Sequence, residues 1–259
     1  MSEAVIQTED FTRRYGSTVA VDELNLTVER GQVFGFLGRN GAGKTTTIKT
    51  LLGLLRPTSG SVRVLGLDPV KDGIELKKRI GYVPETPQLY SWMRVHEMIR
   101  FTSQFYDSWN DTHVAELLGQ FGLDPEHKVK NLSRGMGAQL ALVLAMGHEP
   151  ELLILDEPAT GLDVLVRRDF LESIVRVIQQ QGRTVMLSSH MVHEVERVAD
   201  RVGVIEGGRL LACEDTDAFK GRVKKVLVRL PGEDDAALRN VEGVSEIEGS
   251  GDRRLVTIA

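Results

Sequence analysis

The sequence has almost no cysteine, since Cys213 is the only one among its 259 residues. A single thiol excludes a disulfide within the chain and any metal site built from several thiolates. Low cysteine usage is typical of proteins from a reducing compartment. We therefore expect a fold stabilised by its hydrophobic core, for which a chain of this length is sufficient.

Basic charge and aromatic side chains are also scarce. Lys and Arg total 32 against 37 for Asp and Glu, which gives a formal net charge of −5, and aromatic residues make up only 5% of the chain. Binding to nucleic acid requires a basic face for the phosphates or exposed aromatic rings for the bases. The composition therefore argues against nucleic acid as a partner.

No segment has the length and apolarity of a membrane span. The longest apolar run, Leu140–Met146, is far shorter than the ~20 residues that cross a bilayer. The first ten residues are acidic and contain no apolar stretch, so no secretory signal is expected. These absences predict a cytoplasmic protein that reaches a membrane only through a partner.

Apolar periodicity predicts an α/β fold. Strands are expected at residues 5–6, 18–21, 24–28, 33–37, 152–155, 184–187, 202–205, 209–212 and 255–258. Helices are expected at residues 45–55, 96–106, 111–121, 140–146, 170–178 and 192–198. Asp111 is the expected N-cap of its helix, Gly122 ends that helix, and Gly207-Gly208 is typical of a two-residue hairpin turn.

The distribution of these elements predicts a large domain with an appendage. Residues 88–149 are mostly helical in pattern and are predicted to be inserted into the α/β core. Residues 1–220 then form the main domain. Residues 221–259 form a small β-α-β segment, in which a short charged helix follows Pro231-Gly232.

A glycine-rich segment between a strand and a helix carries the first chemical signal. Residues 38–45 read Gly-Arg-Asn-Gly-Ala-Gly-Lys-Thr and match the phosphate-binding pattern G-x-x-x-x-G-K-[ST]. The glycines, including Gly38, Gly41 and Gly43, let backbone N–H groups point at phosphates, and Lys44 supplies a positive charge. The Thr45 hydroxyl is a predicted Mg²⁺ ligand. The alternative is a structural turn with a chance Lys-Thr.

Two carboxylates follow a second buried strand. Asp156 and Glu157 end the apolar run Leu152–Leu155, and in a parallel sheet this end lies at the ligand crevice. Asp156 is a predicted Mg²⁺ ligand and Glu157 a predicted general base for an attacking water. The alternative is a strand followed by an acidic helix cap.

Three further segments complete a pattern that resembles the nucleotide-binding subunit of ATP-binding cassette (ABC) transporters. Leu-Ser-Arg-Gly-Met at residues 132–136 precedes the two carboxylates, Gly161-Leu162-Asp163 follows them, and Ser188-Ser189-His190 ends the next strand. The resemblance covers roughly residues 4–220. It implies a P-loop NTPase core with an N-terminal antiparallel β subdomain, the helical insertion, and the appendage.

The resemblance also implies roles for individual residues. Tyr15 would stack on adenine, Ser133 and Gly135 would contact the γ-phosphate of ATP held by a facing subunit, and His190 would contact the γ-phosphate in its own site. Asp163 would link the two sites of a dimer. Asn40 and Thr46 fall in the phosphate loop and its helix. The alternatives are a half-buried tyrosine, an ordinary helix cap at Ser133 or Asp163, and a structural histidine.

The chain departs from the family pattern at two places. Glu85 stands after Tyr-Val-Pro where the family usually has Gln, and Arg134 and Met136 stand where it has Gly and Gln. A carboxylate is a stronger Mg²⁺ ligand than an amide, but a negative charge close to the triphosphate costs about 4 kcal/mol at 4 Å and an effective dielectric of 20. Glu85 therefore lies further out, is offset by Mg²⁺, or slows turnover.

An apolar segment directly after Glu85 indicates a docking surface. Residues 87–95 include Leu89, Tyr90, Trp92 and Met93, and in the family this neighbourhood helps to line the groove that receives a short helix of the membrane subunit. Aromatic and Met side chains suit recognition of a helix. The alternative is that these residues pack the core of the helical insertion.

The resulting prediction is an ATP hydrolase that uses ATP and Mg²⁺ and energises an ABC transporter. It would work as a head-to-tail dimer, with itself or with a paralogue, on separate transmembrane permease subunits at the cytoplasmic face of the membrane. The pattern is closest to exporter-type systems, and cargo is left open. The alternatives are a related ATPase acting on a cytosolic scaffold, and an ATP-gated switch with little hydrolysis, suggested by Glu85 and Arg134.

Overall fold

The structure is a computed structural model. It describes residues 3–163, 167, 170–171, 174 and 183–222, and the backbone of three later strands at 224–229, 244–248 and 253–258. The chain divides into two compact units, Met1–Cys213 and Glu214–Ala259. The domain boundary that we placed after residue 220 stays a prediction.

The N-terminal part of the chain forms an antiparallel sheet of three strands. These are β1 (Ala4–Tyr15), β2 (Thr18–Glu29) and β4 (Ser59–Val64), in the order β2-β1-β4. The prediction of separate short strands in this region was wrong. Irregular register at several points lets β1 and β2 continue through their acidic stretches, because a bulge absorbs a residue that does not fit the ladder.

The second sheet positions the predicted site. Its six strands run in the order β5-β6-β7-β3-β8-β9, where β3 is Val33–Leu37, β5 is Ile80–Val83, β6 is Leu152–Asp156, β7 is Thr184–Ser189, β8 is Arg201–Glu206 and β9 is Arg209–Asp215. β3, β6 and β7 are buried along their whole length, and the pairs from β5 to β8 are parallel. The carboxyl ends of β3, β6 and β7 therefore meet at one edge.

Helices occupy the predicted places, most of them with shifted ends, and two further helices, at Gly73–Arg79 and Thr216–Arg222, were not predicted. They are α1 (Lys44–Leu51), α2 (Gly73–Arg79), α3 (Val95–Ser103), α4 (Asp111–Phe121), α5 (Arg134–Met146), α6 (Val192–Val195) and α7 (Thr216–Arg222). A short 3₁₀ helix spans Val129–Asn131. Residues 167, 170–171 and 174 are also helical, and the rest of that predicted helix lies outside the described residues.

Some of the predicted helix ends were wrong. Helix α1 ends at Leu51 rather than Leu55, because Gly53 adopts φ +69° and turns the chain. The N-cap of α4 is Asn110 rather than Asp111, since the Asn110 side chain accepts the His113 N–H at 2.9 Å. Gly122 ends α4 in the left-handed conformation, as predicted. Helix α3 also begins and ends earlier than predicted.

Helices α3, α4 and α5 lie between β5 and β6 in the chain and pack together, with α5 against β5. Residues Leu140–Met146 of α5 are buried throughout, as predicted. The antiparallel subdomain, the parallel sheet and this helical insertion confirm the predicted fold class. In the described part of the chain, no helix combines the length and apolarity needed to cross a membrane.

The C-terminal unit contains one strand that the sequence patterns did not indicate. Its antiparallel sheet has the order β10-β12-β11, where β10 is Lys224–Arg229, β11 is Val244–Glu248 and β12 is Arg253–Ile258. Strand β11 is the unpredicted one, because its charged residues mask the alternation. The predicted charged helix of the β-α-β segment lies outside the described residues.

Candidate active site

The glycine loop between β3 and α1 leaves no room for side chains at two of its glycines. A Cβ on Gly38 would lie 2.5 Å from the Ile205 carbonyl oxygen, and one on Gly43 would lie 2.6 Å from the Ala20 carbonyl oxygen. Gly43 and Gly41 also adopt φ values of +112° and +83°, which L-residues with side chains rarely occupy. The loop is therefore a backbone cradle that only glycine can build.

Hydrogen bonds fix this cradle to its neighbours. The Gly208 N–H donates to the Ala42 carbonyl at 3.0 Å, and the Gly208 carbonyl accepts the Asp22 N–H at 2.9 Å. The Gly38 N–H donates to the Ser189 carbonyl at 3.2 Å. The predicted hairpin turn after β8 thus connects the cradle to β2, while β7 supports its first residue.

Lys44 begins α1 and points back into the loop. Its Nζ donates to the Gly38 carbonyl at 2.6 Å and to the Arg39 carbonyl at 3.2 Å. The same Nζ lies 3.1 Å from Glu157 Oε1, and only 5% of the Lys44 side chain is exposed. The ammonium group of the glycine loop and the carboxylate that follows β6 are therefore in direct contact.

Glu157 is held in a strained backbone conformation. Its φ is +48°, a region that costs a non-glycine residue of the order of 1–3 kcal/mol. Ser188 offsets this cost, because the Glu157 N–H donates to Ser188 Oγ at 3.0 Å and to the Ser188 carbonyl at 3.2 Å. The strain aims the buried carboxylate at Lys44 and at His190.

His190 completes the contact at the end of β7. Its Nδ1 lies 2.8 Å from Glu157 Oε2, and 41% of its side chain is exposed. Glu157 Oε1 is buried and has no hydrogen-bond partner in the described residues, although it is ion-paired with Lys44. One oxygen of the carboxylate thus contacts His190, and the other is ion-paired with Lys44.

Asp156 lies next to this group and faces Ser188. Its Oδ1 accepts the Ser188 hydroxyl at 2.7 Å, and the register of β6 and β7 sets the two residues opposite each other. Burial, and after it the negative charge of Asp156, raises the pKa of Tyr82 to about 12. The Thr45 hydroxyl on α1 is exposed. A carboxylate and a hydroxyl are the oxygen donors that Mg²⁺ prefers, so this donor set fits that ion.

A cavity of about 590 Å³ lies beside the glycine loop and His190. Arg39, Asn40, Gly41, Ala42, His190, Glu206 and Gly207 line it. The fold therefore brings Asn40 and Gly41 of the loop to the same space as His190. Thr46 is half-buried in the first turn of α1, where its N–H belongs to the helix N-terminus.

The remaining predicted site residues lie on other surfaces. Ser133 is exposed and caps α5, since its Oγ accepts the Met136 N–H at 3.2 Å, and Gly135 is buried in the first turn. Asp163 is exposed, and its carbonyl accepts the Arg167 N–H at 2.8 Å. Tyr15 lies at the end of β1 with 45% of its surface exposed.

Glu85 lines a different cavity, of about 450 Å³. Arg134, Thr160 and Gly161 also line this cavity, and the Arg134 guanidinium lies close to Gly161. Both departures from the family pattern therefore face the same space. Metal binding by Glu85 stays a prediction, and its placement supports the alternative in which it lies further out.

An apolar groove lies on the helical insertion. Its volume is about 410 Å³, and Leu52, Tyr82, Leu89, Met98 and Leu144 are among the residues that line it. Trp92 and Tyr90 are exposed, at 69% and 46%, whereas Met93 is only 7% exposed. Met93 and Val95 are buried in the helical insertion, whereas Leu89 lines the groove and Tyr90 and Trp92 are exposed. Docking of a membrane subunit on this segment stays a prediction.

Sequence patterns missed the residues that support the site. Ser188 joins Asp156 to the Glu157 backbone, a role that the register of β6 and β7 could have suggested. Glu194 Oε1 lies 3.1 Å from Arg167 Nη1, and Glu194 Oε2 accepts the Ser189 hydroxyl at 2.6 Å. Arg167 Nη2 also donates to the Leu162 carbonyl at 3.2 Å. This network joins the segment around Asp163 to the segment around His190. No spacing in the sequence indicates it.

Comparison with known proteins agrees with this geometry. A sequence profile described as ABC transporter matches residues 21–160, more than half of the chain. The chain is 40% identical over 225 residues to the bacitracin transport ATP-binding protein BcrA of Bacillus licheniformis, covering 86% of this chain and 74% of BcrA. It is 36% identical over 225 residues to the probable multidrug ABC transporter ATP-binding protein YbhF of Escherichia coli, covering 85% of this chain and 39% of YbhF.

Solved structures show the same similarity. The structure of cbiO1 from Clostridium perfringens, described as part of the ABC transporter complex cbiONQ, superposes with a TM-score of 0.76. The two sequences are 26% identical, and the match covers 85% of this chain and 91% of cbiO1. The chain therefore belongs to the ABC transporter family, as an ATP-binding subunit that hydrolyses ATP.

Proposed function

We propose that this subunit hydrolyses ATP to drive export through separate transmembrane permease subunits, at the cytoplasmic face of a membrane. The observation that carries the proposal is the contact between Lys44, Glu157 and His190 beside the glycine cradle. The names of two relatives, one for bacitracin transport and one for multidrug transport, support export as the direction.

The triphosphate would lie along the glycine cradle. Backbone N–H groups of the loop and the N-terminus of α1 favour phosphate oxygens, and Lys44 adds a unit charge. When the nucleotide binds, the Lys44 ammonium would leave Glu157 and pair with phosphate oxygens instead. Thr45 and Asp156 would hold Mg²⁺, which when bound neutralises charge on the phosphates.

Glu157 would act as the general base. As a water oxygen bonds to the γ-phosphorus, the bond from that phosphorus to the β,γ-bridging oxygen breaks, and Glu157 accepts the water proton. The products are ADP and phosphate. His190 orients Glu157 through the 2.8 Å contact and, with its other ring nitrogen, would reach the γ-phosphate. Closure of the site strengthens these interactions because it excludes water.

The second half of each site would come from another subunit. Ser133 and Asp163 are exposed, so they are accessible to a facing chain. A head-to-tail pair, of two copies or of this chain and a paralogue, would bring each Ser133 to the nucleotide of the other subunit. The Ser133 hydroxyl and the N-terminus of α5 suit a phosphate group.

The apolar groove on the helical insertion would receive a short helix from the permease. Leu89 and Met98 line the groove, and Trp92 and Tyr90 are exposed nearby. Apolar side chains at helical spacing fit such a groove. The solved relative cbiO1, described as part of a transporter complex, supports an assembly with other subunits.

Phosphate release by the purified protein tests this function, with Glu157→Gln as the variant. Loss of the base should lower the hydrolysis rate by about 10²–10⁴-fold and leave ATP affinity within threefold. Glu116→Gln, an exposed position on α4, is the control and should hydrolyse ATP like the wild type. Equal rates for wild type and Glu157→Gln would overturn Glu157 as the base. A wild-type rate no higher than that of Lys44→Ala would favour the ATP-gated switch.

A further inference from the structure

Tyr15, the predicted adenine platform, is covered on one face by Arg13. The Arg13 Cζ lies 4.7 Å from the centroid of the Tyr15 ring, within the range of a cation–π contact. This contact puts the two side chains on the same side of β1, in a stretch where the register with β2 shifts between Arg13 and Arg14. Tyr15 is 45% exposed, so its uncovered surface lies on the other face and the edge of the ring.

The Arg13 guanidinium is itself anchored beyond α1. Its Nη1 donates to the Arg56 carbonyl at 2.9 Å. Arg56 follows α1, and the first residues of that helix are Lys44 and Thr45. One side chain therefore connects the ring at the end of β1 to the segment that follows the phosphate-binding helix.

No other polar contact in the described part of the chain draws the Arg13 side chain away from the Tyr15 ring. In the part of the chain that the structure describes, no carboxylate forms an ion pair with Arg13. Its Nε is buried and has no hydrogen-bond partner there. The adjacent backbone is held independently, since the Thr58 N–H donates to the Thr12 carbonyl at 2.8 Å.

We propose that Arg13 is a positioning residue for the nucleotide base, which fixes the plane of the Tyr15 ring relative to α1. This inference rests on the proposed function, because it assigns Arg13 to the base end of the same ATP site. A ring that is already oriented loses less side-chain entropy when adenine stacks on it. Arg13 therefore contributes to the binding of adenine and not to the binding of phosphates.

The test compares a ligand that has a base with one that lacks it. Calorimetric titration would measure binding of adenosine 5′-(β,γ-imido)triphosphate and of inorganic tripolyphosphate. Arg13→Met should weaken the nucleotide by about two- to fivefold and leave tripolyphosphate unchanged. Arg14→Met removes the same charge at the neighbouring, exposed position of β1 and should change neither affinity.

Two further variants test whether the effect comes from poor folding and whether it depends on the Tyr15 ring. Arg13→Gln keeps an N–H donor for the Arg56 carbonyl, so it should show the same base-specific loss even if Arg13→Met folds poorly. In a Tyr15→Ala background, Arg13→Met should have no additional effect on nucleotide affinity, because the ring that it orients is gone.

Two results would overturn the inference while ATP binding by the wild type stands. An equal loss for both ligands would mean that Arg13 acts through its charge or through the loop. Unchanged nucleotide affinity in both Arg13 variants would mean that Tyr15 needs no support. Failure of the wild type to bind the nucleotide at all would instead remove the proposed function, and the inference with it.

Discussion

The two halves of the proposed ATP site differ in what their side chains contact. On the phosphate side, Glu157 contacts both Lys44 and His190, and Asp156 accepts a hydrogen bond from Ser188. On the side of the α5 N-terminus, the Ser133 hydroxyl bonds to its own helix, and Ser133 and Asp163 are both exposed. The fold of one chain thus assembles the first half, and under the proposed function a partner subunit would use the second.

This contrast has a physical reason. Lys44 and Glu157 are almost fully buried, and buried charges are tolerated only when they are paired. An exposed hydroxyl such as that of Ser133 needs no partner, because water satisfies it. We therefore expect substitutions in the first half to change both stability and chemistry, and those in the second half to change mainly chemistry.

The largest effect is expected from Lys44→Ala. Loss of the charge should weaken ATP binding about 10- to 100-fold, and it should cost about 3 kcal/mol of unfolding free energy because Glu157 stays buried without its cation. Chemical denaturation and ATP titration would measure the two effects.

The double variant Lys44→Ala/Glu157→Gln is the control for that prediction. It should regain part of the stability, because the unpaired charge is gone, and none of the activity. A double variant no more stable than Lys44→Ala would mean that the Lys44–Glu157 pair does not stabilise the fold.

Ser133→Ala tests the second half. It should lower hydrolysis by about 10- to 100-fold if the hydroxyl contacts phosphate, while ATP affinity at low protein concentration stays unchanged. Asn110→Ala is a matched control, because Asn110 caps α4 with a similar hydrogen bond. Each change should cost about 1 kcal/mol of stability, but Asn110→Ala should leave hydrolysis intact. Equal rates for the two variants would make Ser133 an ordinary helix cap.

Mixing two inactive variants sharpens the comparison between halves. In a head-to-tail homodimer, a Lys44→Ala subunit and a Ser133→Arg subunit share one site with both defects and one intact site. The mixture should recover about a quarter of the wild-type rate, since half of the dimers are mixed and each has one working site. No recovery would rule out the homodimer in favour of pairing with a paralogue.

His148 shows that burial by itself does not mark a catalytic group. It stacks on Tyr106 at 4.0 Å, and burial lowers its pKa from 6.5 to about 4. The unfolded chain therefore binds a proton between these pH values while the folded chain does not. Stability should fall by about 2 kcal/mol between pH 7 and pH 5 from this residue.

Unfolding curves at the two pH values would measure the contribution of His148. His148→Phe should flatten the pH dependence by that amount, because the phenyl ring keeps the stacking and cannot be protonated. The same slope in wild type and variant would assign the pH dependence to other groups.

How much of the site the sequence predicts depends on how local each signal is. Gly38–Thr45 is one continuous segment, and Asp156 and His190 end buried strands, so the parallel sheet brings them to one edge. The roles of Ser188 and of the Arg167–Glu194 pair were not predicted, because they depend on strand register and on side-chain distances between remote segments. The end of α1 and strands β4, β5 and β11 were missed because local propensities do not report backbone turns or sheet pairing.

The smallest effect is expected from Glu85→Gln. Glu85 is exposed and shares its cavity with Arg134 rather than with Asp156, and an exposed charge contributes less than about 1 kcal/mol. The hydrolysis rate should therefore change less than about fivefold. A larger change in the hydrolysis rate, together with a shifted Mg²⁺ dependence, would mean that Glu85 is a Mg²⁺ ligand.

A structure of the protein with Mg²⁺ and a non-hydrolysable ATP analogue tests the central claim most directly. We predict that Lys44 Nζ moves from Glu157 to phosphate oxygens, with Asp156 and Thr45 at the metal and His190 within hydrogen-bond distance of the γ-phosphate. A nucleotide bound away from the glycine loop, or a Lys44–Glu157 contact that persists at 3.1 Å, would contradict it.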